Sequence, residues 1–124
     1  MLEQLEYLPF PDGDDPDAKT KRIERQLGKL EYANVDVKIG DETRKSADLF
    51  KAGNADAVRI YLRGKSARDA DQWNDLGCAQ AWNHEWDAAT NSLGQSGKNQ
   101  NDAAKKRAKK NIAVVAKAKA VESA

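Results

Sequence analysis

Trp73-Asn74-Asp75-Leu76-Gly77-Cys78-Ala79-Gln80, followed by a turn at Asn83-His84 and then Trp86-Asp87-Ala88-Ala89 with Leu93 four residues on, is the stretch that decides the fold. Large residues (Trp73, Leu76, Trp86, Leu93) alternate with small ones (Gly77, Ala89) at helical spacing, so two helices can cross closely where the small residues meet. Bulky residues at that crossing would push the pair apart. Gly64-Lys65-Ser66 before this stretch, and Gly94 and Gly97 at its far end, punctuate it as a helical hairpin.

Working outward, the turn signals fall at regular intervals and Ala is abundant from Asp41 onward. Helices are expected at roughly 42 to 52, 55 to 64, 69 to 82, 86 to 95 and 101 to 120. Short helices joined by short turns pack as antiparallel neighbours. Upstream, Asp15 before Pro16 is a helix cap followed by a residue whose missing N–H costs nothing in the first helical position. Ile23, Leu27 and Leu30 then form a narrow apolar stripe. Val35, Val37 and Ile39 alternate with polar residues, but no second strand-like run follows, so an extended connector is expected there. Residues 1 to 14, whose end carries Pro11, Asp12, Gly13 and Asp14 before Asp15, are expected to be irregular.

The 73 to 93 stretch resembles the tetratricopeptide repeat, a helix pair repeated about every 34 residues. A weaker first copy keeps Gly53-Asn54 at the turn and Ala57, Val58 and Tyr61 on its second helix. Asn111-Ile112-Ala113 could open a third first-helix without a partner. The resemblance implies an all-α fold of antiparallel helix pairs stacked as a short right-handed superhelix. Residues 41 to 124 would form the repeat domain with its C-terminal capping helix, and residues 15 to 40 a helical extension and connector over the other end.

The resemblance also implies a function, protein recognition on the concave face lined by the first helix of each pair. Carried over, that face holds Asn74, Cys78, Ala81 and Trp82, and, with Ala113 set against Gly77, continues through Arg107, Lys110, Val114 and Lys117. An acidic peptide would suit its basic end. The family's carboxylate clamp does not transfer, because Asp75 stands where it would repel a carboxylate.

Composition bounds the alternatives. The 124 residues are 40% apolar and 33% charged, with mean hydropathy −0.85 and net charge +1, which suits one soluble domain without a membrane span or signal peptide, cytoplasmic by default. Cys78, the lone cysteine, excludes an internal disulfide or a thiol metal cluster. Gly64-Lys65-Ser66 lacks the earlier glycine of a phosphate loop, since Arg59 stands there, and His84-Glu85 lacks the second His of a zinc-protease helix, since Ala88 stands there. No catalytic set, cofactor or metal is expected, and a partner protein or peptide is. The alternatives are nucleic-acid binding through Lys105, Lys106, Arg107, Lys109 and Lys110, or an accessory or fragment role in a larger assembly. Residues 1 to 17 hold six acidic and no basic side chains and residues 98 to 119 eight basic and one acidic, which also suggests head-to-tail self-association.

Overall fold

The computed structural model describes residues 16 to 98 and 101 to 124. The irregular segment expected at 1 to 14 and the cap expected at Asp15 lie outside the described residues. Six helices and one two-stranded hairpin follow in the order α1 (Pro16–Leu27), β1 (Asp36–Ile39), β2 (Glu42–Lys45), α2 (Ser46–Lys51), α3 (Ala55–Arg63), α4 (Ala70–Trp82), α5 (Trp86–Ser96) and α6 (Asp102–Ser123). The fold is therefore mostly helical, with a small sheet. None of the described helices is long and apolar enough to cross a membrane.

Three of the helix starts, those of α3, α4 and α6, are set by side-chain caps. Asn54 accepts from Ala57 N, and Asn101 from Ala103 N and Ala104 N. At α4, Asp69 accepts from Gln72 N at 2.8 Å while the Gln72 side chain accepts from Asp69 N at 3.0 Å, a reciprocal cap that satisfies two otherwise orphaned donors. At the end of α4 the chain turns through His84, whose positive φ of 59° is uncommon for a residue with a side chain. His84 is exposed. It stacks on Trp86 and places Nδ1 2.9 Å from a Glu122 oxygen, while Trp86 Nε1 donates to the other Glu122 oxygen at 2.7 Å.

Three expectations about the first half change. The segment expected to be a lone connector is half of a hairpin, with Asp36 opposite Lys45 and Ile39 opposite Glu42 across a two-residue turn at Gly40-Asp41. Gly40 has φ +62°, the conformation such a turn requires. The partner strand, Glu-Thr-Arg-Lys, contains no large apolar residue and is exposed throughout, so it carries no alternation to read. The helix expected over 42 to 52 accordingly shrinks to the six residues of α2, which bury Leu49 and Phe50. Nor do residues 15 to 40 cover one end of the stack: α1 lies along α6, and only the hairpin packs on α3, through the fully buried Val37.

The core runs through the middle of the stack, where Leu27, Val58, Leu62, Leu93 and Val115 are fully buried. Each such side chain contributes about 1.5–3 kcal/mol by leaving water. The α4–α5 crossing is the tightest joint. A Cβ built on Gly77 would lie 2.7 Å from Leu93 Cγ and 3.1 Å from the Ala89 carbonyl oxygen. Gly94, also inside a helix, has nothing within 4 Å of the same position. Ala is favoured over Gly in a helix interior by about 1 kcal/mol, whereas forcing atoms into a packed crossing costs about 1–3 kcal/mol. Thermal denaturation should therefore give opposite signs: Gly94→Ala raises stability by about 0.5–1 kcal/mol, and Gly77→Ala lowers it.

Candidate functional site

Residues 28 to 35 join α1 to the hairpin without a ladder of their own, yet several of their main-chain groups lie inside the molecule, where each needs a partner. Side chains of α4 and α6 supply them. Asn111 donates through Nδ2 to the Glu31 carbonyl at 2.8 Å and accepts from the Glu31 N–H at Oδ1, also at 2.8 Å. This two-pronged contact reproduces what a neighbouring strand would offer. Asn74 donates to the same carbonyl at 2.9 Å, and its oxygen accepts from Asn111 Nδ2 at 2.9 Å. The two asparagines, one on each helix, thus hold the main chain of a single residue between them.

One residue along, the Asp75 carboxylate is wrapped completely. Oδ1 accepts from Ala33 N at 2.7 Å and from Asn74 Nδ2 at 3.0 Å; Oδ2 accepts from Asn34 N at 2.9 Å, Val35 N at 3.4 Å and the Ser46 hydroxyl. Ser46 Oγ in turn accepts from Val35 N at 2.8 Å. Asp75 is fully buried, and all its partners are N–H or O–H donors, the set that an acceptor-only carboxylate requires.

An aromatic group continues the contact. The Tyr32 ring stacks on Phe50 with centroids 4.0 Å apart, and its hydroxyl accepts from Trp82 Nε1 at 3.0 Å. Burial pushes the Tyr32 phenol up from its ordinary range; the Trp82 hydrogen bond opposes this, and the nearby Cys78 and Asp75 add to it. Burial likewise holds the Cys78 thiol well above the usual cysteine range, reinforced by the Asp75 charge and opposed by Arg107.

The side chains expected on an open concave face are thus distributed differently. Asn74, Cys78 and Ala81 are fully buried, and Asn74 and Cys78 face the chain's own connector, the Cys78 sulfur 3.8 Å from the Glu31 oxygen. Arg107 is largely covered and sits 2.7 Å from Asp71; Lys110 is half-exposed, 3.0 Å from Glu31. The basic end expected for an acidic peptide is therefore neutralised internally at both positions. Lys117 is exposed and has no ion-pair partner among the described residues. Val114 is buried and Ala113 exposed, so α6 is rotated from the phase expected by setting Ala113 against Gly77. That phase would place Lys110 beside Asn74; the residue found there is Asn111.

Trp82 alone of the expected α4 set reaches the surface. It borders a cleft of about 630 Å³ where α2 and α3 meet the end of α4, lined also by Phe50, Asp56, Arg59, Ala79 and Asn83. Arg59 is held there by an ion pair with Asp56 and lies 3.9 Å from Glu85. Apolar walls with a few fixed polar groups are the usual make-up of a recognition cleft.

Sequence reasoning missed the parts played by Glu31, Tyr32, Ser46 and Asp75. The available signal was the Asn74-Asp75 pair inside a run of Leu, Gly, Cys and Ala, since polar side chains on a buried stripe need partners supplied from elsewhere. No protein-family model matches the chain, and no curated protein or solved structure shows significant similarity to it.

Replacing Asp75 by Ala removes the acceptor of the part-buried Ala33 and Asn34 N–H groups and of the Ser46 hydroxyl, each loss costing about 1–3 kcal/mol. Asp75→Ala should lower stability by about 3 kcal/mol or more and the melting temperature by roughly 10 °C, measured by circular dichroism. A second expectation concerns alkali. The folded state holds Cys78 as the neutral thiol, so stability is fully present below the thiol's ordinary range and falls as pH rises above it, because the unfolded chain then loses a proton the folded chain keeps. Melts across that range should show this slope, and it should lessen in Cys78→Ala.

Proposed function

We propose that the chain is a protein-interaction module of the tetratricopeptide-repeat type, with α2–α3 and α4–α5 as its two helix pairs and α6 as the capping first-helix. What carries this reading is the inner side of α4 and α6, where Asn74 and Asn111 hold an extended segment through its main chain. Main-chain capture of an extended segment is a general way for a rigid surface to bind a peptide. In this chain the central part of that surface is occupied by residues 28 to 35, whose Leu30 is part of the core, so it is closed to a partner. The cleft beside Trp82 is the part left open, and a partner's short segment with an apolar anchor is its natural occupant.

The test is selection of peptides from a displayed library on the whole chain, followed by titration of the selected peptides by tryptophan fluorescence in a Trp73→Phe, Trp86→Phe background that leaves Trp82 as the reporter. Binding should weaken about tenfold or more when the exposed rim is blocked by Lys51→Glu with Asn83→Arg, and hold in Lys117→Ala. Peptides indifferent to the rim changes would move recognition away from the cleft.

A second reading, nucleic-acid binding, is favoured by one observation. Lys105, Lys106 and Lys109 lie exposed along α6 with no ion pair among the described residues, while Arg107, Lys110 and Lys119 on the same helix are paired with Asp71, Glu31 and Asp87. Affinity for a single-stranded or duplex oligonucleotide that falls steeply with salt would support it.

A further inference from the structure

Residues 41 to 45 read Asp-Glu-Thr-Arg-Lys, two acids and two bases placed symmetrically about Thr43. The last four of them form β2, exposed along its whole length. Which main-chain groups face outward follows from the hairpin. Ile39 and Glu42 close the two-residue turn and face each other, and at the other end Ser46 N donates to Val35 O at 2.8 Å. Main-chain direction alternates along a strand, so Glu42, Arg44 and Ser46 face β1, while Thr43 and Lys45 direct their N–H and C=O groups away from it. That outward row is an open sheet edge.

Natural edges are commonly blunted by lysines, by proline or by a bulge. This one instead carries both signs in an order that complements itself when reversed. We propose that β2 pairs antiparallel with β2 of a second copy of this chain, about a two-fold axis at Thr43. Thr43 then faces Thr43, and the Glu42–Arg44 ion pair of one strand, 3.0 Å apart, faces Arg44 and Glu42 of the other, while Lys45 keeps its ion pair with Asp36 at 2.7 Å. The pairing agrees with the main-chain parity, because Thr43, at its centre, is a position whose groups turn outward. It also agrees with side-chain parity: Glu42 and Arg44 share the face of Val37 and Ile39, to which the register joins them.

The other registers are disfavoured by the same charges. Sliding by one pair in either direction places Glu42 against Glu42 or Arg44 against Arg44, and a parallel in-register arrangement sets every charge against its like. The symmetric register avoids all of these contacts. In it the hairpins become a four-stranded sheet with both α3 helices on one face. Ile39 and Ile60, the large apolar side chains left exposed among the described residues, at 40% and 54%, line a shallow groove on that face with Ala57 and Tyr61. This surface is separate from the Trp82 cleft and does not depend on it.

Sedimentation velocity of the whole chain over a range of concentrations, at low and moderate salt, tests the pairing. Wild type should dimerise weakly at low salt and dissociate as salt screens the charges. Glu42→Arg alone and Arg44→Glu alone should each weaken self-association roughly tenfold or more, since the symmetry doubles every like-charge contact. An equimolar mixture of these two variants should associate again, because a strand with two arginines flanking Thr43 then faces a strand with two glutamates there. Thr43→Pro should abolish the dimer while leaving the hairpin bonds intact, because it removes an N–H that points outward; circular dichroism verifies that each variant is folded. A wild-type chain that stays monomeric at all concentrations overturns the proposal. So does a dimer indifferent to Thr43→Pro, or variants that fail to associate when mixed.

Discussion

The structure depends on one buried carboxylate. Asp75 sits in the middle of the most buried helix and accepts from the main chain of three consecutive residues, Ala33, Asn34 and Val35, as well as from Ser46. A charge in the interior is costly unless its hydrogen-bonding capacity is filled, and here both oxygens are filled. The constraint works in both directions. The connector can leave water because Asp75 receives its N–H groups, and Asp75 can leave water because the connector wraps it. The start of β1, the first residue of α2 and the inner side of α4 meet at this point, so the hairpin is anchored to the helices through Asp75 as much as through the apolar contact of Val37.

That anchoring decides what the inner side of the stack can do. Asn74, Cys78 and Asn111 form a row suited to holding an extended chain, and the chain they hold is their own. The charges expected to draw an acidic ligand have partners of their own, Arg107 with Asp71 and Lys110 with Glu31. Recognition of another molecule is thereby directed to what remains uncovered: the cleft at Trp82, the solvent side of α6 and the free edge of β2. These three surfaces differ in chemistry, being aromatic with a paired arginine, cationic, and open main chain flanked by charges of both signs, respectively.

How far the sequence alone reaches can be judged from particular residues. Helices α3 to α6 are legible because Gly64, the Asn83-His84 turn, Gly97 and the capping residues Asn54, Asp69 and Asn101 are local signals that act through neighbouring atoms. The close α4–α5 crossing is legible in Gly77 and Ala89 for the same reason that it forms: only small residues fit there. The hairpin is not, since β2 is held by its register with β1 and shows no apolar alternation. The site is half legible. Spacing marks Asn74, Cys78 and Trp82 as one face of a helix, but what covers that face is set by contacts between residues about 40 to 80 positions apart in the chain, such as Glu31 with Asn74 and Asn111. Periodicity carries no information about such contacts. The phase of α6 escapes a sequence reading for a related reason, because Ala113 and Val114 are both plausible small or apolar matches to Gly77 and only packing separates them.

The grip on Glu31 is made through its N–H and carbonyl, while its side chain reaches Lys110 at the surface. Fixing this main-chain pair requires three parts of the chain to be in place at once: the connector, the middle of α4 and the middle of α6. None of the three can be satisfied by its sequence neighbours, so the loops that must close first are long and their entropic cost is met before the bonds are formed. Helices α4 and α5 pack through contacts close in sequence, whereas the connector is held by side chains from α2, α4 and α6. The main-chain hydrogen bonds of residues 31 to 35 are thereby deposited on three separate parts of the chain, which meet only in the finished fold.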